Sequence, residues 1–251
     1  MTHNKLNLGA SLARAAASLR GLVFPPRCAG CGVLLGGQTP PFCARCATEV
    51  MELRQVFCPR CRQPVVLCRC APHDGITTPI YSLYPYRTGR KDVIARMLLM
   101  RKEHDDPDVR AFLAAQMEPL CLYAASQRAD IQRWVLAYPP RSKAKKQSCG
   151  FDQSQTLAKA LSARTGFPLV PCVRRVRGRN AVQKHLGAEA RFVNARASYE
   201  FDTSYANAIA GAGILLIDDI VTTGATLQVC TDLLLEAGAG CVAAVTAART
   251  L

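Results

Sequence analysis

From Ile80 onward, apolar residues come in short bursts separated by charged or turn-forming stretches, the alternation expected of strands and helices taken in turn. Ile80–Tyr86, Trp134–Tyr138, Leu169–Val173, Tyr199–Phe201, Ile214–Ile217 and Cys241–Thr246 read as strands. Between them Asp92–Met100, Pro107–Ser126, Asp152–Arg164, Glu189–Ala197 and Ala225–Ala237 read as helices, with Asp152 as an N-cap. This rhythm predicts an α/β domain whose mostly parallel sheet carries helices on both faces. Ile214–Ile217, four apolar residues in succession, predicts a strand buried on both sides. Two stretches break the rhythm. Arg141–Gly150, after Pro139 and Pro140, is basic and reads as a loop, and Arg174–Lys184 is a strongly basic irregular segment.

The chain before residue 75 is patterned differently. Leu8, Leu12, Ala15, Leu19 and Leu22 recur at helical spacing and predict one amphipathic helix. Arg14 interrupts what a signal peptide would keep apolar, and no apolar run reaches the ~18 residues of a membrane span. A helix docked on its own domain and a helix lying on a membrane surface are both open readings. Pro72, Gly75 and Pro79 mark a join, so the expected parts are a helical lead (1–26), a cysteine-rich module (27–74) and the α/β domain (75–251).

Eight of the thirteen cysteines fall in that middle module, as Cys28-x-x-Cys31, Cys43-x-x-Cys46, Cys58-x-x-Cys61 and Cys68-x-Cys70. A Cys-x-x-Cys turn places two thiolates on one side of a tight knuckle, and two knuckles complete a tetrahedral site. The first two pairs have the separation of a zinc ribbon, and the last two make a tighter variant in which His73 is an alternative ligand. One or two structural zinc ions are therefore expected, with no open position for water. Disulfides are disfavoured because nothing reads as an export signal, which also points to the cytoplasm.

Charge adds a question. The chain carries +14, spread as +6 over residues 1–75, +6 over 76–146, +5 over 147–207 and −3 over 208–251. Such a field attracts phosphates, on a small molecule or a nucleic acid. The acidic end holds the most informative segment, Ile214-Leu-Leu-Ile-Asp218-Asp219-Ile220-Val221-Thr222-Thr223-Gly224-Ala225-Thr226. A buried strand is expected to end at two carboxylates, followed by hydroxyls around a glycine and then a helix. Backbone N–H groups and the helix dipole at such a turn make an anion site, and Gly224 lets backbone approach a phosphate. Asp218 and Asp219 suit vicinal hydroxyls or a hydrated Mg²⁺. A phosphate beside a diol describes ribose 5-phosphate.

This segment resembles the phosphoribosyl pyrophosphate motif of type I phosphoribosyltransferases, and the chain as a whole resembles the ComF family, which includes GntX-type relatives. The resemblance rests on Leu22-Val-Phe-Pro-Pro-Arg-Cys-Ala-Gly-Cys31 with the cysteine pairs after it, on Tyr138-Pro-Pro-Arg141, and on Cys149-Gly-Phe-Asp-Gln153. Gln183, Leu186, Arg191, Asn194 and Phe201 continue it. It implies a type I phosphoribosyltransferase-like fold with an N-terminal zinc ribbon. It implies that Thr222–Thr226 hold the 5-phosphate, that Asp218 and Asp219, the expected catalytic pair, hold the ribose hydroxyls, and that Arg141 and Lys143 face the pyrophosphate. Two positions depart from the family: Cys149 stands where Arg is usual, and Asp152 where Asn is usual. The resemblance further implies a role in competence, the uptake of single-stranded DNA in natural transformation, with DNA-uptake proteins as partners. Arg174, Arg175, Arg177, Arg179 and Lys184 are the basic patch for a DNA backbone, against the plainer reading of a solvated charged face. The alternatives are a metabolic phosphoribosyltransferase with an unidentified base and a GntX-like regulator.

Overall fold

The protein is described from a computed structural model, which covers residues 25–36, 41–72, 74–87, 92–176 and 196–251, with 101–103 and 143–145 as backbone only. The expected helix at Leu6–Phe24 and almost all of Glu189–Ala197 lie outside these residues, as does His73.

Four strands form one parallel sheet: β1 (Ile80–Tyr86), β2 (Trp134–Ala137), β5 (Gly213–Val221) and β6 (Cys241–Thr250), in the order β1-β6-β5-β2. Two short strands, β3 (Val173–Arg175) and β4 (Tyr199–Phe201), pair antiparallel as a separate ribbon. Alternation along β5 divides the core. Leu215 and Ile217 bury with α3 (Pro107–Ser126) and α5 (Gln153–Thr165), whereas Ile214 and Leu216 bury with α7 (Ala225–Glu236) and the ribbon. A sheet clothed on both sides explains the unbroken apolar run that marks β5.

The helices start where the sequence offers caps. Asp92 accepts a hydrogen bond from Ala95 N at 2.8 Å ahead of α2 (Val93–Glu103). Asp106 accepts from Asp108 N at 2.9 Å ahead of Pro107. Four sequence expectations are corrected. The strand expected at Leu169–Val173 lies at Val173–Arg175, with Leu169 making only a bridge to Leu136, and β6 runs past Thr246 to Thr250. The basic stretch after Arg141 is not a loop: Lys143–Cys149 forms the short helix α4. And β5 does not stop at Ile217 but continues to Val221, because β6 keeps pairing with it through Asp218↔Thr246, Ile220↔Ala248 and Val221↔Arg249.

The cysteine module repeats one device. In each first knuckle a backbone N–H closes the turn onto the leading cysteine carbonyl: Gly32 onto Cys28 at 2.7 Å, Arg62 onto Cys58 at 3.0 Å. Both closing residues have positive φ, +76° and +58°. A helix, α1 (Ala44–Leu53), leaves the Cys43 knuckle. The module shares the main core: Cys28, Leu35, Phe42, Cys46 and Val50 bury in one cluster with α2, α3, α5 and β5.

Candidate functional site

The carboxyl ends of β5 and β2, the N-terminus of α5 and the β3–β4 ribbon converge on a cleft of about 300 Å³. Pro139, Pro140, Arg141, Ser142, Ser154, Arg175, Tyr199, Asp218 and Thr226 line it. Crevices at the carboxyl ends of parallel strands are where open α/β sheets bind ligands, because loops and helix N-termini face the same space.

The acidic pair lies inside the extended β5, so neighbouring carboxylates aim in different directions. Asp218 Oδ1 accepts from Ser154 Oγ at 2.7 Å and from Asp219 N at 2.9 Å. Burial, and then the negative charge of Asp219, push the Asp218 carboxyl up to about 8. Asp219 Oδ1 accepts from Ile220 N at 2.8 Å. Its Oδ2 is buried without a hydrogen bond among the described residues, and Arg141 Nη2 stands 3.8 Å away.

Beyond Val221 the chain turns through exposed Thr222 and half-buried Thr223 to Gly224, whose φ is +79° and which opens α7. A side chain could not replace that glycine: a Cβ would lie 2.9 Å from Pro72 Cγ and 3.2 Å from Ile76 Cγ1. No side chain of this turn caps α7, apart from a weak 3.5 Å bond from Ala225 N to Thr223 Oγ1. The first N–H groups of a twelve-residue helix therefore stand next to the cleft, which Thr226 lines.

Arg141 is held by its own neighbours. Its backbone N–H donates to Asp152 Oδ2 at 2.9 Å and its guanidinium to Gln153 Oε1. Asp152, whose side chain is fully buried, also caps α5 and pairs with Lys146 Nζ at 3.0 Å. The departure from asparagine at this position is thereby compensated: its charge meets a lysine and a backbone N–H instead of facing the cleft. Lys146 is committed to that contact. Lys143 opens α4, and its side chain is outside the described residues.

Sequence reasoning missed Ser154 and Tyr199 and did not assign Arg175 to this cleft. Arg175 Nη1 donates to the Tyr199 hydroxyl at 2.8 Å, with its guanidinium over that ring at 5.0 Å, and both line the cleft. Burial pushes the Tyr199 phenol up to about 12, keeping it a neutral donor. Arg174, one step along β3, points elsewhere and pairs with Glu200 at 3.0 Å. The basic patch is thus divided between the two sides of the ribbon; Arg177, Arg179 and Lys184 lie outside the described residues. Trp134 is buried against Gly213 and offers no ring to a base.

The cysteines gather in two groups of four, Cys28/Cys31/Cys43/Cys46 and Cys58/Cys61/Cys68/Cys70, the ligand atoms of each within 4.8 Å of one another. The second group is complete without His73. Burial raises Cys28, but N–H groups of Cys43, Cys31 and Gly30 outweigh it and bring the thiol down to about 6. Cys58 behaves alike, brought to about 6 against burial by N–H groups of Cys61 and Arg60. Cys46 and Cys68 are pushed up, first by burial and also by neighbouring thiols. One ready thiolate in each group, with later ones resisted by mutual repulsion, is what a divalent cation would relieve, so each donor set fits a structural zinc ion.

Residues 152–250 match the phosphoribosyl transferase domain family, a stretch running from the α5 cap through the acidic pair and glycine turn to the end of β6. The chain therefore carries a domain of the phosphoribosyltransferase class behind a double tetracysteine module. Competence protein ComFC of Bacillus subtilis (strain 168) is 33% identical over 107 residues, covering 43% of this chain and 40% of that relative's length. Domain, relative and cysteine groups together fit a ComF-type protein, though the match spans less than half of that relative's length. The structure of the allosteric regulatory enzyme of purine biosynthesis overlays 59% of this chain and 29% of its own, at 17% identity and a TM-score of 0.37, too loose a likeness to add to the fold. Among the described residues, no helix is long and apolar enough to cross a membrane.

Proposed function

We propose that the cleft binds phosphoribosyl pyrophosphate with Mg²⁺, and that the protein serves DNA handling in competence from the cytoplasm. The observation that carries the first part is that Asp218, Arg141 and Thr226 line one small cleft at the carboxyl ends of β5 and β2, with Asp219 3.8 Å from Arg141. Thr222–Thr226 and the N–H groups opening α7 hold the 5-phosphate. Asp218 and Asp219 accept the ribose 2- and 3-hydroxyls, and Asp219 Oδ2 has an acceptor position to spare. Arg141, with Lys143 on the same segment, faces the pyrophosphate, and Arg175 closes the cleft from the ribbon. Mg²⁺, when bound, would neutralise the pyrophosphate. The protein's own share is positioning and charge stabilisation at C1.

The competence role follows the name of the relative and the basic charge outside residues 208–251. Single-stranded DNA and DNA-uptake proteins are its partners in this reading. Calorimetric titration with phosphoribosyl pyrophosphate and Mg²⁺, with and without a short single-stranded oligonucleotide, tests both parts. Micromolar binding that disappears in the double variant Asp218→Asn/Asp219→Asn supports the site. Oligonucleotide binding without any for phosphoribosyl pyrophosphate would overturn it.

A further inference from the structure

The second cysteine group reaches the Thr222–Thr226 turn through residues that do not line the cleft. Arg249, on β6, is 2% exposed. Its Nη1 lies 3.4 Å from Cys68 O and 3.5 Å from Cys68 Sγ, and Nη2 donates to Cys70 O. Among the described residues its Nε has no partner and no carboxylate pairs with it. A buried guanidinium facing two carbonyl oxygens and a cysteine sulfur, with no carboxylate opposite, calls for a counter-charge. Four thiolates around a divalent ion supply one, since they leave the centre with two negative charges.

Arg249 also stands beside the turn. It is the register partner of Val221, the last residue of β5 before Thr222. After Cys70, Ala71–Pro72 and Asp74–Thr78 form a strap beside the same turn. Ala71 O accepts from Arg60 Nη1 at 3.0 Å, and Pro72 and Ile76 fill the space beside Gly224. At its far end Gln228, one helical turn into α7, accepts from Thr77 N at 2.8 Å and from Thr78 N and Thr78 Oγ1 at 2.9 Å each. The strap is thus pinned to the metal group at one end and to the helix of the phosphate turn at the other.

We propose that Arg249 is the counter-cation of a metal tetrathiolate at Cys58, Cys61, Cys68 and Cys70, and that loading this centre steadies the Ala71–Pro72 and Asp74–Thr78 strap against the phosphate turn. Zinc at the second group and a phosphate at the turn then bind cooperatively, each raising the other's affinity by the same factor. The coupling rests on the reading of Thr222–Thr226 as a phosphate site; the role of Arg249 does not.

The test uses the full zinc-loaded chain and the variants Arg249→Gln and Arg249→Lys. Zinc release to a zinc-selective chelator is followed with and without ribose 5-phosphate, and ribose 5-phosphate binding is measured by calorimetry. Arg249→Gln is expected to hold one of its two zinc ions roughly 10–100-fold more weakly, with Arg249→Lys restoring most of the difference. The same variant is expected to bind ribose 5-phosphate about fivefold or more weakly, and ribose 5-phosphate to slow release of that same ion from the unaltered protein. Zinc retention in Arg249→Gln equal to the unaltered protein would overturn the counter-cation role. A weakened ion with unchanged ribose 5-phosphate affinity would overturn the coupling. Should Arg249→Gln not fold, equal zinc release with and without ribose 5-phosphate in the unaltered protein overturns the coupling by itself, and Arg249→Lys carries the test of the charge. If the unaltered protein binds no ribose 5-phosphate, the functional reading falls while chelator competition still decides Arg249.

Discussion

A buried carboxyl group next to another carboxyl holds its proton more tightly than it would in water. Asp218 is in that position, raised by burial and then by Asp219 to about 8. The unfolded chain gives up the same proton from roughly pH 4. Between those limits the folded state binds more protons than the unfolded state, so stability falls as pH rises through the window and levels off above about 8. Asp218→Asn removes this dependence. Urea unfolding at about pH 5 and about pH 8 should show the unaltered protein clearly more stable at the lower value and the variant nearly indifferent. Equal slopes in both would mean that the pair ionises as ordinary surface carboxylates do. The motif made Asp218 and Asp219 legible from sequence. Nothing along the chain announced Ser154, which supplies the 2.7 Å hydrogen bond to Asp218 from an element sixty-four residues away.

Elements bounded by strong local signals were legible to the residue. β1, α3 and β4 fall at the expected ends, since each is flanked by proline, a capping aspartate or charge. Where the signal is apolar periodicity, an element without an apolar face goes unseen. α4 is such a case: its sequence, Lys-Ala-Lys-Lys-Gln-Ser-Cys, has no stripe, and the helix is tied down by Lys146 on Asp152. The same reasoning failed at β5, where two carboxylates looked like a strand end although β6 goes on pairing past them. Asp152 joins these elements by capping α5, anchoring α4 and fixing the backbone of Arg141. Asp152→Asn keeps an acceptor for the cap and is expected to cost about 1 kcal/mol, while Asp152→Ala strands buried N–H groups and costs about 2–3 kcal/mol. Thermal unfolding of both variants checks the order, and an alanine no worse than the asparagine would show that the anchoring contributes little.

At the scale of the molecule, the cysteine spacing revealed two metal groups but not where they sit, because knuckle residues carry too few apolar side chains to show which surface they cover. The first group turns out to be part of the main core. Phe42 packs edge-on against Phe112 of α3 at 5.1 Å, and Arg96 of α2 donates to Gly30 O and pairs with Glu49 at 3.5 Å. Gly30 leaves no room for a Cβ, which would lie 2.6 Å from Val93 Cγ2. A module that lends its cysteines to the domain's core cannot melt by itself, since opening the knuckle exposes Phe42, Val93 and the face of α3 together. Cys46→Ser, which removes one ligand of the first group, should therefore lower the unfolding of the whole chain as one transition. For a loss of about 3 kcal/mol in a chain of this size, Tm falls by roughly 6–12 °C. Scanning calorimetry distinguishes this from an independent module. Independence would leave the main transition in place and add a small one below it, whereas a shared core moves a single peak.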